Sequence, residues 1–211
     1  MRPMVAVVAI SVLLAGCGGG GGGGPVQLSA DAATIAQDTL DATGFESQGQ
    51  SASWVNTTIS VSISGDVELQ ASKDVRARSP VRTYRRGSEA GPIAVGLLTV
   101  PAVHLLEESA DIIRNPASEI EPGSLAGRVQ SSYGAIEIGE QIDNTTVTML
   151  GNRTHLVTYA ATAPADGQTR EVRVSIATVQ HGDAFVTYVE VSPASTANIE
   201  RTQQLLAGVE H

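Results

Sequence analysis

The chain has 211 residues, a single cysteine, 3% aromatic residues, and 22 acidic against 13 basic side chains for a formal charge of −9. The acidic excess argues against a nucleic-acid partner, because affinity for a phosphate backbone comes mainly from lysine and arginine. One thiol excludes an intrachain disulfide, and the scarcity of aromatics points to an aliphatic core and against a sugar-stacking cleft.

Residues 1–16 read as an export signal: Arg2 supplies the positive start, Met4–Leu14 is apolar apart from Ser11, and Ala15 and Gly16 are small. At about 13 residues the apolar run is too short for a spanning helix, which needs roughly 20. Leu14-Ala15-Gly16-Cys17 then resembles the lipobox of secreted lipoproteins, which implies a two-chain lipid on Cys17 as the mature N-terminus. The alternative is an ordinary cleaved signal that contains a cysteine. Gly18–Gly24, closed by Pro25, reads as a flexible tether reaching roughly 15 Å by random-coil scaling. It matches G-x-G-x-x-G trivially, but no strand precedes it and no helix follows, so a dinucleotide site is rejected. The organisation expected is a signal over 1–16, the lipidated cysteine and tether over 17–27, and one α+β domain over 28–211.

Ser29 is placed to cap a helix running to Thr43, with Ala32, Ile35, Ala36, Thr39 and Leu40 on its stripe and Gly44 as its stop. Residues 52–75 alternate every second position around Ser64-Gly65-Asp66, predicting a β-hairpin. The apolar run 92–106 is divided by Gly96 and Pro101 and reads as two short strands, at least one deeply buried, rather than as a membrane span. Residues 107–123 form a connecting loop, and Leu125, Val129, Tyr133 and Ile136 mark a second helix capped by Ser124. Strands are then expected near 145–150, 154–163, 169–180 and 184–192, with turns at Gly151-Asn152, Ala165-Asp166-Gly167 and His181-Gly182-Asp183. A last helix over about 196–208 buries Ile199, Thr202, Leu206 and Val209. The fold class expected is α+β: an antiparallel sheet of about six to eight strands with about three helices on one face.

The lipobox, "LSADAATIAQDTLDATGFE", "IAVGLLTVPAV", Asn115-Pro116, "TVTMLGNRTHLVTYAAT", "VRVSIATVQHGDAFVTYVEVSP" and the terminal "LLAGVEH" resemble a haloarchaeal lipoprotein family known only as domain-of-unknown-function family 6517. The likeness implies an exported, lipid-anchored protein on the outer face of the cytoplasmic membrane, and it brings no catalytic residue. Members often carry paired arginines for twin-arginine export, where this chain has Arg2 alone. The order of helices and hairpins is also similar to the PsbP/Mog1 fold class, which implies a binding or accessory role by analogy.

Chemistry is sparse. His104, His155, His181 and His211 stand in no metal-ligand spacing, so no metal or cofactor is expected. His181 with Asp183 reads as a turn rather than a ligand pair, His104 as a packed or rim imidazole rather than a base, and Glu107, Glu108 and Asp111 as an acidic loop. Asn56, Asn144 and Asn152 lie in N-x-S/T sequons and are candidate glycosylation sites. Without Arg2 of the signal, 12 basic residues remain, and six of them crowd residues 73–86: Lys73, Arg76, Arg78, Arg82, Arg85 and Arg86. Such a patch can grip anionic headgroups, acidic glycan or an acidic protein, or it can be a solvent face paired with nearby carboxylates. The function expected is a lipid-anchored, non-enzymatic interaction or accessory module of the cell envelope. A binding module for a small solute or anionic polymer is the alternative, and an undetected hydrolase using His104 or His155 is the lesser one.

Overall fold

A computed structural model describes residues 26–63, 69–105, 112–114, 121–129, 133–165 and 167–211. Strand β1 (Val26–Ser29), the short β2 (Thr34–Ile35) and helix α1 (Gln37–Thr43) precede a long hairpin, β3 (Glu46–Ile63) and β4 (Leu69–Arg86). Strand β5 (Ile93–Pro101), the small pair β6 (Val103–Leu105) and β7 (Ile112–Arg114), and helix α2 (Pro122–Val129) follow. A meander of β8 (Glu137–Met149), β9 (Asn152–Ala165), β10 (Gln168–His181) and β11 (Ala184–Pro193) leads to helix α3 (Ile199–Ala207) and β12 (Val209–Glu210). Strand dominates, and the three α-helices are short.

The main sheet has eight strands. Across it run β3, β4, β5, β11, β10, β9 and β8, each antiparallel to its neighbour. Strand β4 pairs with β3 along one side; its other side takes β5 at Val81–Arg86 and β1 at Val75–Arg78. The β1 pairing is parallel, and it takes Val26 and Gln27, expected at the end of the tether, into the sheet, because their backbone groups find partners on β4. The sheet is therefore mixed, where the sequence predicted an antiparallel one: β1 satisfies backbone groups of β4 that β5 does not reach.

Both faces are packed, which corrects the expectation of helices on one. Alternate residues of β5 divide between two cores: Ala94, Leu98 and Val100 join the cluster that holds Leu125 and Val129 of α2, while Ile93, Val95 and Leu97 join Leu40 of α1 and Leu205 and Leu206 of α3. Strands β5 and β11 are buried along almost their whole length, so they read as continuous apolar runs rather than as alternating ones. Gly96 does not interrupt β5. A Cβ there would meet Val129 Cγ1 at 2.8 Å and press harder still on Cγ2, so the glycine is the seat of α2.

Other departures have local causes. The helix expected over 29–43 survives only as α1, because tertiary partners claim the backbone before it: Ala33 N donates to Thr99 Oγ1 at 2.9 Å and Ile35 N to Tyr84 Oη at 3.0 Å. Gly44 stops α1 as expected, at φ 71°. Helix α2 starts at Pro122, ahead of Ser124, and residues 133–136 are not helical. The loop expected over 107–123 contains β7, paired with β6. Ile199 is exposed and Leu205 is buried in its place. The hairpin expected around 64–66 forms, with Ile63 opposite Leu69; its tip lies outside the described residues. The β8–β9 turn uses Leu150 and Gly151, at φ 51° and 75°, one residue before the position expected. That register is forced, since a one-residue slip would turn Val147, Met149 and Leu156 away from the core.

The contact between Gly96 and Val129 makes a measurable pair. Gly96→Ala is expected to lower unfolding stability in urea by roughly 1–3 kcal/mol through overpacking. Adding Val129→Ala should cost less in that background than in the wild type, and equal costs in both would show that the two sites do not touch.

Candidate functional site

The exposed face of the β3–β4 hairpin is the most distinctive surface. Along β4, Val75, Ala77 and Ser79 are buried while Asp74, Arg76 and Arg78 point outward. Trp54 of β3 lies opposite Arg78, and Asn56 lies opposite Arg76. Trp54 is the chain's only tryptophan and is 44% exposed. The Arg76 guanidinium stands 4.4 Å from its ring centre, a cation–π contact. Thr58 Oγ1 donates to Asp74 Oδ1 at 2.6 Å, and β1 places Gln27 and Ser29 beside Arg76 and Arg78.

The arginine cluster expected from the sequence is thus divided by the strand's alternation. Arg76 and Arg78 form the exposed pair. Arg82 is half-buried and its Nε has no hydrogen-bond partner. Arg85 turns to the opposite face, where its charge acts on Tyr133. Arg86 Nη1 donates to Thr43 O at 3.0 Å and closes the end of α1. Lys73 lies in β4, with its side chain outside the described part.

The remaining expected positions are dispersed. Cys17 lies outside the described residues, as do Glu107, Glu108 and Asp111. Asn56, Asn144 and Asn152 are all exposed. The Asn144 Oδ1 is 2.9 Å from His155 Nδ1, and Asn152 Nδ2 donates to Leu150 O at 3.1 Å within the turn. His155 therefore faces the side-chain amide of Asn144. His181 contacts the ring of His211 edge-on at 5.7 Å, and His104 lies in β6 with its side chain outside the described part. Among the described residues no group of three or more His, Cys, Asp or Glu is placed to hold a metal ion, and no helix is long and apolar enough to cross a membrane.

Two features escaped the sequence reading. The first is a groove of about 470 Å³ where β8 bulges away from β9, lined among others by Glu137, Ile142, Glu171 and Arg173. A smaller hollow of about 190 Å³ beside Tyr133 and Arg170 shares Glu171, Val172 and Ala194 with its lining. Tyr133 Oη donates to Pro92 O at 2.8 Å and Arg170 Nη1 to Ala90 O at 3.2 Å. Burial pushes the Tyr133 phenol up, while the Arg170 and Arg85 charges pull in the other direction. The bulges that open the groove leave no mark in the hydrophobic pattern.

The second feature is a buried carboxylate. Glu190 is 2% exposed and accepts from Tyr188 Oη at 2.7 Å, Thr202 Oγ1 at 2.8 Å and Arg201 Nη2 at 3.2 Å. This network ties α3 to the central strand. Its trace in the sequence is a lone acid in the apolar alternation "FVTYVEVS". Burial, and then the charge and hydrogen bond of Glu190, hold the Tyr188 phenol well above its ordinary value, against a smaller opposing effect from Arg201 and Thr202.

A family model described as a domain of unknown function (DUF6517) matches residues 32–210, so the chain belongs to that family. Among curated proteins none matches.

The Tyr188–Glu190 pair predicts alkaline lability. A neutral Tyr188 stabilises the fold fully below its unfolded pKa near 10, and the contribution is lost as pH rises toward the higher folded value. Tyr188→Phe should cost roughly 2 kcal/mol at neutral pH and flatten this alkaline loss. Denaturation curves of both proteins on either side of that pKa provide the check.

Proposed function

We propose that this member of the family is a lipid-anchored envelope protein, held at the outer face of the cytoplasmic membrane by Cys17, whose β-rich domain serves as a non-enzymatic interaction or accessory module. The observation that carries the reading is the place where the chain enters the fold. Val26 follows directly on the glycine run and Pro25 and pairs with Val75 of β4, beside a hairpin face that no described helix covers and that presents Trp54, Arg76 and Arg78. The haloarchaeal lipoprotein character, the acidic composition and the likeness in element order to the PsbP/Mog1 class belong to the same proposal. Candidate partners are an envelope protein or an acidic glycan, together with the membrane lipid itself.

The groove between the β8 bulges and β10 favours a second reading, a binding module for a small solute. Its size falls in the range of ligand clefts, and it sets Glu137, Glu171 and Arg173 around the exposed Ile142. Native mass spectrometry separates the two readings: a co-purified small molecule lost in Arg173→Glu would establish the solute function.

The anchor has a direct test. The wild-type protein is expected in the membrane fraction, with a two-chain lipid on the Cys17 peptide by mass spectrometry, and Cys17→Ser is expected in the soluble or secreted fraction. An unmodified Cys17 in a membrane-free protein would overturn the reading.

A further inference from the structure

We propose that the exposed face of the β3–β4 hairpin docks on an anionic lipid surface, with the Trp54 ring at headgroup depth and Arg76 and Arg78 on lipid phosphates. The proposal takes from the anchored reading only the location of the protein; the docking chemistry belongs to the folded residues themselves.

Reach is the first argument. The segment from Cys17 to Pro25 can span at most about 30 Å when fully extended, and it ends where Val26 pairs with Val75 and Gln27 with Arg76. An anchored chain therefore keeps this stretch of β4 within that distance of the bilayer, however the rest of the domain is turned.

Chemical fit is the second. Tryptophan suits a membrane–water interface because its ring is largely apolar and its indole N–H polar. The only tryptophan in the chain is 44% exposed on this face. A guanidinium matches a phosphate with two parallel hydrogen bonds, and Arg76 already lies against the ring at 4.4 Å. Asp74, the acid at this level of β4, is engaged by Thr58 Oγ1; Gln27, Ser29 and Asn56 are polar and uncharged. The net charge of the chain is −9, so repulsion between its acidic surface and anionic lipid favours contact through this face.

The geometry also forces a choice at Asn56. Its side chain lies opposite Arg76 on the same face, and a glycan there would hold the face off any bilayer. Docking therefore requires Asn56 to stay unmodified, whatever happens at Asn144 and Asn152.

Because Trp54 is the only tryptophan, its fluorescence reads this face alone. The full chain carrying Cys17→Ser, titrated at about 0.1 M salt (a Debye length of about 10 Å), should show a blue shift with vesicles of equal parts phosphatidylglycerol and phosphatidylcholine. The emission should be quenched by brominated lipid and unchanged by phosphatidylcholine alone. Arg76→Gln combined with Arg78→Gln should weaken vesicle binding roughly 25-fold, at about fivefold per arginine. Arg153→Gln, an exposed arginine on β9, should bind as the wild type does. An unshifted Trp54, equal binding by the double variant, or a glycan on Asn56 of the native protein would each overturn the proposal. A Trp54 shift with an acidic polysaccharide and none with vesicles would overturn it in favour of a glycan. A lipidated Cys17 with an unshifted Trp54 sinks docking and leaves the anchor; a shifted Trp54 with unmodified native Cys17 sinks the anchor and leaves docking.

Discussion

Strands β5 and β11 have almost no face left for water, and the rest of the architecture follows from that burial. Each deals its residues alternately to two cores, so each side of the sheet needs its own cover. Helix α2 closes one side and α1 with α3 the other. A sheet with one solvated face could have kept the expected one-sided arrangement of helices; this one cannot, because two aliphatic strands at its centre would then expose a continuous apolar strip.

The two sides are closed by different physics. On the α2 side the contact is steric: the missing side chain at Gly96 lets Val129 descend onto the backbone of β5. On the α3 side a buried carboxylate organises the contact, with Glu190 receiving Tyr188, Thr202 and Arg201. Burying that charge is costly, and the attraction to Arg201 offsets the cost only because the hydroxyls fill the remaining lone pairs. Arg201 Nε stays unpaired, so satisfaction is incomplete on the guanidinium side. A greasy contact could hold α3 equally well; the polar network additionally sets its position along the strand.

Where the helices stop, the sheet continues. The β3–β4 hairpin extends from the end held by Tyr84, which Ile35 N binds from one side, toward a stretch where Trp54, Asn56, Thr58, Asp74, Arg76 and Arg78 are exposed. Strand alternation then distributes the basic residues 76–86, which crowd together in sequence, to separate tasks: a surface pair, a half-buried side chain, a charge beside Tyr133, and a cap on α1. Composition reports how many arginines lie in the segment, while the pleat of the strand decides which of them a partner can touch.

Several features were legible in the sequence because they depend on neighbours along the chain. The hairpin centred on 64–66, the four meander strands and the stop at Gly44 follow from period-two alternation and from glycine's access to positive φ, and the family resemblance rests on the same local strings. Other features depended on contacts between distant segments. The helix propensity of residues 29–36 yielded to backbone hydrogen bonds donated to Thr99 and Tyr84; Gly96 served α2 rather than breaking β5; the parallel β1, the groove at the β8 bulges and the meeting of Trp54 with Arg76 appeared only on folding. Propensity and periodicity act over a few residues and are worth tenths of a kcal/mol to about 1 kcal/mol per position. A buried backbone group without a partner costs more, so wherever the two conflicted the tertiary partner decided.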